Sequence, residues 1–113
     1  MKQKESIVQK EIVEFLNKVG INAWRQNSGM IKSGSRFIRV GIKGCPDIIG
    51  WWPDGKFLGI EVKSNNEPTT PAQKDFIDQI NEAGGYAFIA KSLDDAIYHV
   101  KQRVDTNTGG FRG

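Results

Sequence analysis

The stretch Gly44-Cys45-Pro46-Asp47-Ile48-Ile49-Gly50-Trp51-Trp52, with its continuation Phe57-Leu58-Gly59-Ile60-Glu61-Val62-Lys63, decides the fold. Residues 46–52 and 57–63 are rich in β-branched and aromatic side chains and read as strands. Between them Pro53-Asp54-Gly55-Lys56 is turn chemistry, so the two are expected to pair as an antiparallel hairpin. Side chains alternate along a strand. Leu58, Ile60 and Val62 then share a buried face, and Glu61 and Lys63 share the other. An ordinary solvated pair is the plain reading of Glu61 and Lys63, since exposed pairs are common and contribute little. Asp47, at the mouth of the neighbouring strand, could bring a second carboxylate beside Glu61 and changes that reading. Two carboxylates converging with a lysine can hold a hard divalent cation and set a positive charge beside a reacting atom.

The 113 residues are enough for one domain with a modest core. A hydrophobic content of 38% and a charged content of 26% are those of a globular chain. No apolar run approaches the length of a membrane span, and the N-terminus lacks the apolar block of a signal peptide. The lone Cys45 forms no internal disulfide and suits a reducing cytosol. It is a poor nucleophile candidate, because distant His99 is the only imidazole. The net charge of +3 is unevenly spread. Residues 1–44 hold nine Lys/Arg against three Asp/Glu, and residues 45–113 hold seven against ten. A basic region beside an acidic centre suits a polyanion brought to a metal site, though such asymmetry also occurs without function.

Outward from the hairpin, residues 5–19 read as a helix with Val8, Ile12, Phe15, Leu16 and Val19 on one stripe. Glu11 lies at the stripe's edge and is the helix carboxylate best placed to reach a site; a boundary residue is the equal alternative. Glu5 lies on the stripe but in the first turn, where an acid suits the helix dipole. Residues 21–27 alternate as a strand. Residues 30–44 read as a loop or loose hairpin with 36–40 extended, and carry Lys32, Arg36, Arg39 and Lys43 with no acid. Glycines, cations and Phe37 together suit phosphate contact, against the plainer reading of a solvated edge. Residues 64–68 are loop. Thr70-Pro71-Ala72-Gln73 is a helix start with Thr at N-cap, Pro at N1 and Gln at N3. Gln73 has two readings, a capping side chain or one aimed at the hairpin. A strand over 86–90 and a helix capped by Ser92 follow, with His99 read as a surface residue. One domain over 1–104 and a disordered tail over 105–113 are expected.

With Glu11 on the first helix, Pro46-Asp47, Glu61-Val62-Lys63 and Gln73, the chain resembles the PD-(D/E)xK nuclease superfamily. More narrowly it resembles the short stand-alone VRR-Nuc proteins of phages and bacteria. Arg25-Gln26-Asn27-Ser28-Gly29, the Gly44-x-Pro46-Asp47 turn and Gly84-Gly85 strengthen the likeness, which spans about residues 5–90. It implies an α/β fold: a nuclease core of helix, three strands, helix and strand, with a mixed sheet flanked by helices. It implies an Mg2+- or Mn2+-dependent endonuclease of bacterial or phage-infected cytoplasm, cutting branched DNA such as Holliday junctions as a homodimer, with no membrane partner. Asp47, Glu61 and the Val62 carbonyl would bind the metal, and Glu11 would support the metal or its water. Lys63 would orient the attacking water or stabilise charge at phosphorus, with Gln73 beside it. Arg25, Lys32, Arg36, Arg39 and Lys43 would contact DNA. The competing readings are a non-catalytic basic DNA-binding module and a nickase that acts with a larger partner.

Overall fold

Helix α1 (Glu5–Lys18) sets Val8, Ile12 and Leu16 at successive turns of one stripe, and all three are buried. The computed structural model describes residues 5–26, 29–40, 42–64 and 66–106, without the side chains of 29–33, 37–40, 105 and 106. After α1 come β1 (Asn22–Arg25), β2 (Gly29–Ser33), β3 (Arg36–Val40), β4 (Ile48–Trp51) and β5 (Phe57–Val62). Helix α2 (Pro71–Glu82), β6 (Tyr86–Ala90) and α3 (Leu93–Thr106) complete the described order. Strands β1, β4, β5 and β6 form one sheet in that order. The β1–β4 and β4–β5 pairs are antiparallel, and β6 returns parallel to β5 through the α2 crossover. The sheet is therefore mixed and the class α/β, as expected.

The hairpin anticipated at 46–63 forms as β4 and β5, with Trp51 opposite Phe57 nearest the turn. The loose segment is more regular than its glycines imply. Strands β2 and β3 pair over their full lengths as a separate two-stranded sheet, turning at Gly34-Ser35. Helix α3 runs two residues beyond the boundary expected at 104, and residues 107–113 lie outside the described residues.

Alternation places Ile48, Leu58, Ile60 and Val62 on one face of the sheet. There they bury with Val8, Ile12 and Leu16 of α1, and with Ala96 and Val100 of α3. Helix α2 packs on β5 and β6 from the other side through Ile77 and Ile80, which meet Ala87. Trp52 is fully buried, stacks on Tyr86 at 5.6 Å and donates its Nε1–H to the Tyr86 carbonyl. The Arg103 guanidinium lies 4.5 Å over the Trp52 ring and pairs with Asp54 at 2.8 Å, which pins the β4–β5 turn to α3. His99 is not the surface residue anticipated. It is half-buried and stacks on Phe88 at 4.3 Å, and burial lowers its pKa.

Candidate active site

The site grows from one row across the sheet. Arg25 opposes Ile48, and Ile48 opposes Ile60. One residue further on, Gln26, Asp47 and Glu61 stand side by side, and the Gln26 N–H donates to the Asp47 carbonyl at 2.8 Å. Ile48 and Ile60 face α1 and α3, so Asp47 and Glu61 face the α2 side by alternation. Lys63 follows on the same side. Glu61 and Lys63 are each only 4% exposed, which removes them from the class of ordinary solvated pairs.

The contacts within the row are specific. An Asp47 Oδ2 atom accepts from the Val62 N–H at 2.9 Å. Glu61 Oε2 accepts from Gln73 Nε2 at 3.0 Å and lies 3.6 Å from Lys63 Nζ. Glu61 Oε1 is buried and receives no hydrogen bond from a donor among the described residues. Burial, and then the charge of Asp47, push the Glu61 carboxyl up to about 8. Burial also raises Asp47, against the Val62 N–H and the hydrogen bond from Glu61, which lower it. Glu61 is thus the carboxyl of the pair that keeps its proton furthest above the usual carboxylate range. Cys45 beside them is half-buried, and burial raises its thiol, which disfavours the nucleophilic thiolate.

Gln73 fulfils both of its readings at once. Its Oε1 accepts from the Thr70 N–H and its own N–H reaches Thr70 Oγ1, closing a capping box. The remaining Nε2 is the group that holds Glu61. The helix is seated by Gly44: its φ is 82°, and a Cβ there would come within 2.5 Å of the Ala72 carbonyl oxygen. The turn that delivers Asp47 and the helix start that delivers Gln73 are therefore in direct contact.

The sequence reading missed Glu67. Its Oε1 accepts from the Ser64 N–H and Oγ at 3.3 Å, and its Oε2 lies 3.5 Å from Lys63 Nζ. The reciprocal Glu67 N–H to Ser64 carbonyl bond closes the turn, so the Ser-x-x-Glu spacing was the available signal. Among the helix carboxylates, Glu5 accepts from the Ser64 N–H at 3.2 Å. It also shares a hydrogen bond with Glu67 that raises Glu5 and brings Glu67 down to about 2. Glu11 stands six residues along α1, roughly 9 Å up the axis, half-buried at the stripe's edge. Arg25 is exposed on the α1 side of the sheet, where its Nε donates to Gln9 Oε1. Arg36 and Lys43 are exposed; Lys32 and Arg39 lie in β2 and β3 with side chains outside the described residues.

Among the described residues no three His, Cys, Asp or Glu side chains converge as a metal cage. Two carboxylates nevertheless suit Mg2+, which takes one or two of them and fills its octahedron with water and phosphate oxygens. The buried Glu61 Oε1, reached by no donor among the described residues, and the desolvated Asp47 offer oxygens that a divalent cation would satisfy. The residues fit the metal that nucleases of the PD-(D/E)xK type generally use.

A search of curated proteins finds no match. Solved structures share the fold, two of them as follows. One, a VRR_NUC domain, has a TM-score of 0.62 and 21% identity, covering 86% of this chain and 94% of its own. The other, a VRR_NUC domain protein, has a TM-score of 0.60 and 25% identity, covering 93% of this chain and 91% of its own. The family model for the VRR-NUC domain matches residues 2–94. The chain belongs to the VRR-NUC family, a branch of the PD-(D/E)xK nuclease superfamily.

Proposed function

We propose that this nuclease domain is an Mg2+- or Mn2+-dependent endodeoxyribonuclease that cuts branched DNA, with four-way junctions as its preferred substrate, as a homodimer. One observation carries the metal-dependent chemistry: Asp47, Glu61, Lys63 and Gln73 meet on one face of the sheet, with a carboxylate oxygen of Glu61 buried and reached by no donor among the described residues. Asp47, Glu61 and the Val62 carbonyl would hold the ion. When bound, it acidifies its water and offsets charge gathering at phosphorus. Val62 fixes one oxygen of Asp47 through its N–H, and Gln73 fixes Oε2 of Glu61, so the other oxygens are preset for a ligand. Lys63 presents its ammonium to the attacking water or to the phosphate oxygens. Arg36, Lys43 and their neighbours on β2 and β3 meet the backbone of the duplex.

The preference for junctions and the dimer rest on symmetry. One site cuts one strand, and resolving a junction takes two cuts related by a two-fold axis, which a dimer supplies. The test is incubation with flaps, splayed arms, four-way junctions and linear duplex, in Mg2+, in Mn2+ and in chelator. Metal-dependent cleavage with paired nicks on opposing junction strands is expected. Metal-independent binding without cleavage would leave a DNA-binding module instead. Light scattering checks the mass of the active species.

A further inference from the structure

We infer that Gln26 is a substrate-contacting residue of this site, its side-chain amide N–H donating to a non-bridging oxygen of the phosphate held beside Asp47 and Glu61. The inference deepens the nuclease reading above and rests on it. Gln26 occupies the third place in the cross-strand row, hydrogen-bonded through its backbone to Asp47. Its neighbour Arg25 turns toward Gln9 on α1, so alternation sends the Gln26 side chain to the face that carries Asp47 and Glu61. Gln26 Nε2 is buried and has no hydrogen-bond partner among the described residues. Such an orphan is rare in folded proteins, because a buried unpaired donor loses its hydration and gains nothing back.

The chemistry of the row selects the missing partner. Asp47 Oδ2 is taken by the Val62 N–H, and Glu61 Oε2 is taken by Gln73. An N–H donor has no lone pair for a cation and is repelled by one. It suits an oxygen that the cation itself holds, and a charged phosphate oxygen makes the stronger bond. The row therefore reads as two ligands for the metal with one donor for the phosphate beside them.

The test replaces Gln26 with Leu, which removes the donor and keeps a similar bulk, and uses Ca2+ as the probe metal with a chelator control. The Gln26→Leu protein without metal should melt at or above the wild-type temperature, since an unsatisfied buried group has been removed. Calorimetric Mn2+ affinity without DNA should be unchanged. Junction affinity in Ca2+ should fall about tenfold or more, with affinity in chelator unchanged. A lower melting temperature would make Gln26 a structural residue, and weaker Mn2+ binding without DNA would make it a metal ligand through its carbonyl. Unchanged affinity in Ca2+ would remove it from the phosphate. Each of these overturns the inference. A wild-type protein with no Ca2+-dependent DNA affinity would bring down the nuclease reading as well, a result distinct from indifference of the variant alone.

Discussion

Glu61 links the site's chemistry to the stability of the fold. In the unfolded chain it ionises near its ordinary value of 4.5, whereas in the folded protein it holds its proton up to about 8. The stability it contributes is therefore full below about 4.5 and is lost as pH rises through about 8. Raised Asp47 acts in the same direction, while Glu67, brought down to about 2, acts only below its ordinary value of 4.5. The metal-free protein is thus expected to lose melting temperature from pH 5 to pH 8.5. Glu61→Gln, whose amide imitates the protonated acid, should flatten that decline. Mn2+ should restore wild-type stability most at the alkaline end, because binding displaces a proton. A wild-type profile as flat as the variant's would contradict the assignment. Lys63→Ala should abolish cleavage and leave DNA affinity near wild type, measured by nicking and gel-shift assays. Strand alternation was enough to put Glu61 and Lys63 together on one face, since that period is a property of the strand alone. The preference for Glu11 over Glu5 rested on helix register alone. Which end of α1 meets Ser64 is a contact across 59 residues, and no local pattern encodes it.

Helix α2 shows how one element serves two purposes. The capping box was legible as Thr-Pro-x-Gln because its partners are three residues apart. The third bond of Gln73, to Glu61 twelve residues away, was open in the sequence and is made in the fold. Thr70→Ala should cost about 1 kcal/mol of stability, typical of a lost N-cap. It should also lower kcat by loosening the amide that holds Glu61; thermal melts and single-turnover rates separate the two effects. Gly44→Ala should be the more damaging change, since it forces a side chain at φ 82° into the Ala72 carbonyl. The exposed Lys74–Asp78 pair on the same helix should matter little to either measurement.

For the whole molecule, the expected mixed sheet and its flanking helices are present, and hydrophobic alternation was a sufficient guide to them. The fates of adjacent Trp51 and Trp52 followed from strand parity: Trp52 is core, while Trp51 is 46% exposed and meets the equally exposed Trp24 edge to face. That the pair sits on the edge strand β1 and its neighbour β4 required the strand order, which sequence adjacency does not give. These rings share the face that carries Asp47 and Glu61, and Trp24→Ala with Trp51→Ala should weaken the proposed dimer or the proposed hold on junctions; light scattering and gel shifts distinguish which. The β2–β3 ribbon has a different standing. Strands β1 and β4 are already neighbours, and the chain leaves one at Gln26 and re-enters the other opposite it at Asp47. Everything between is, in topological terms, an insert spliced into a hairpin that is complete without it. Short connections replace long ones at little entropic expense. Exchanging residues 28–41 for a short linker should therefore spare the four-stranded sheet while stripping away duplex affinity. By the same logic, ribbons borrowed from other sequences would graft new target preferences onto an unchanged cutting centre.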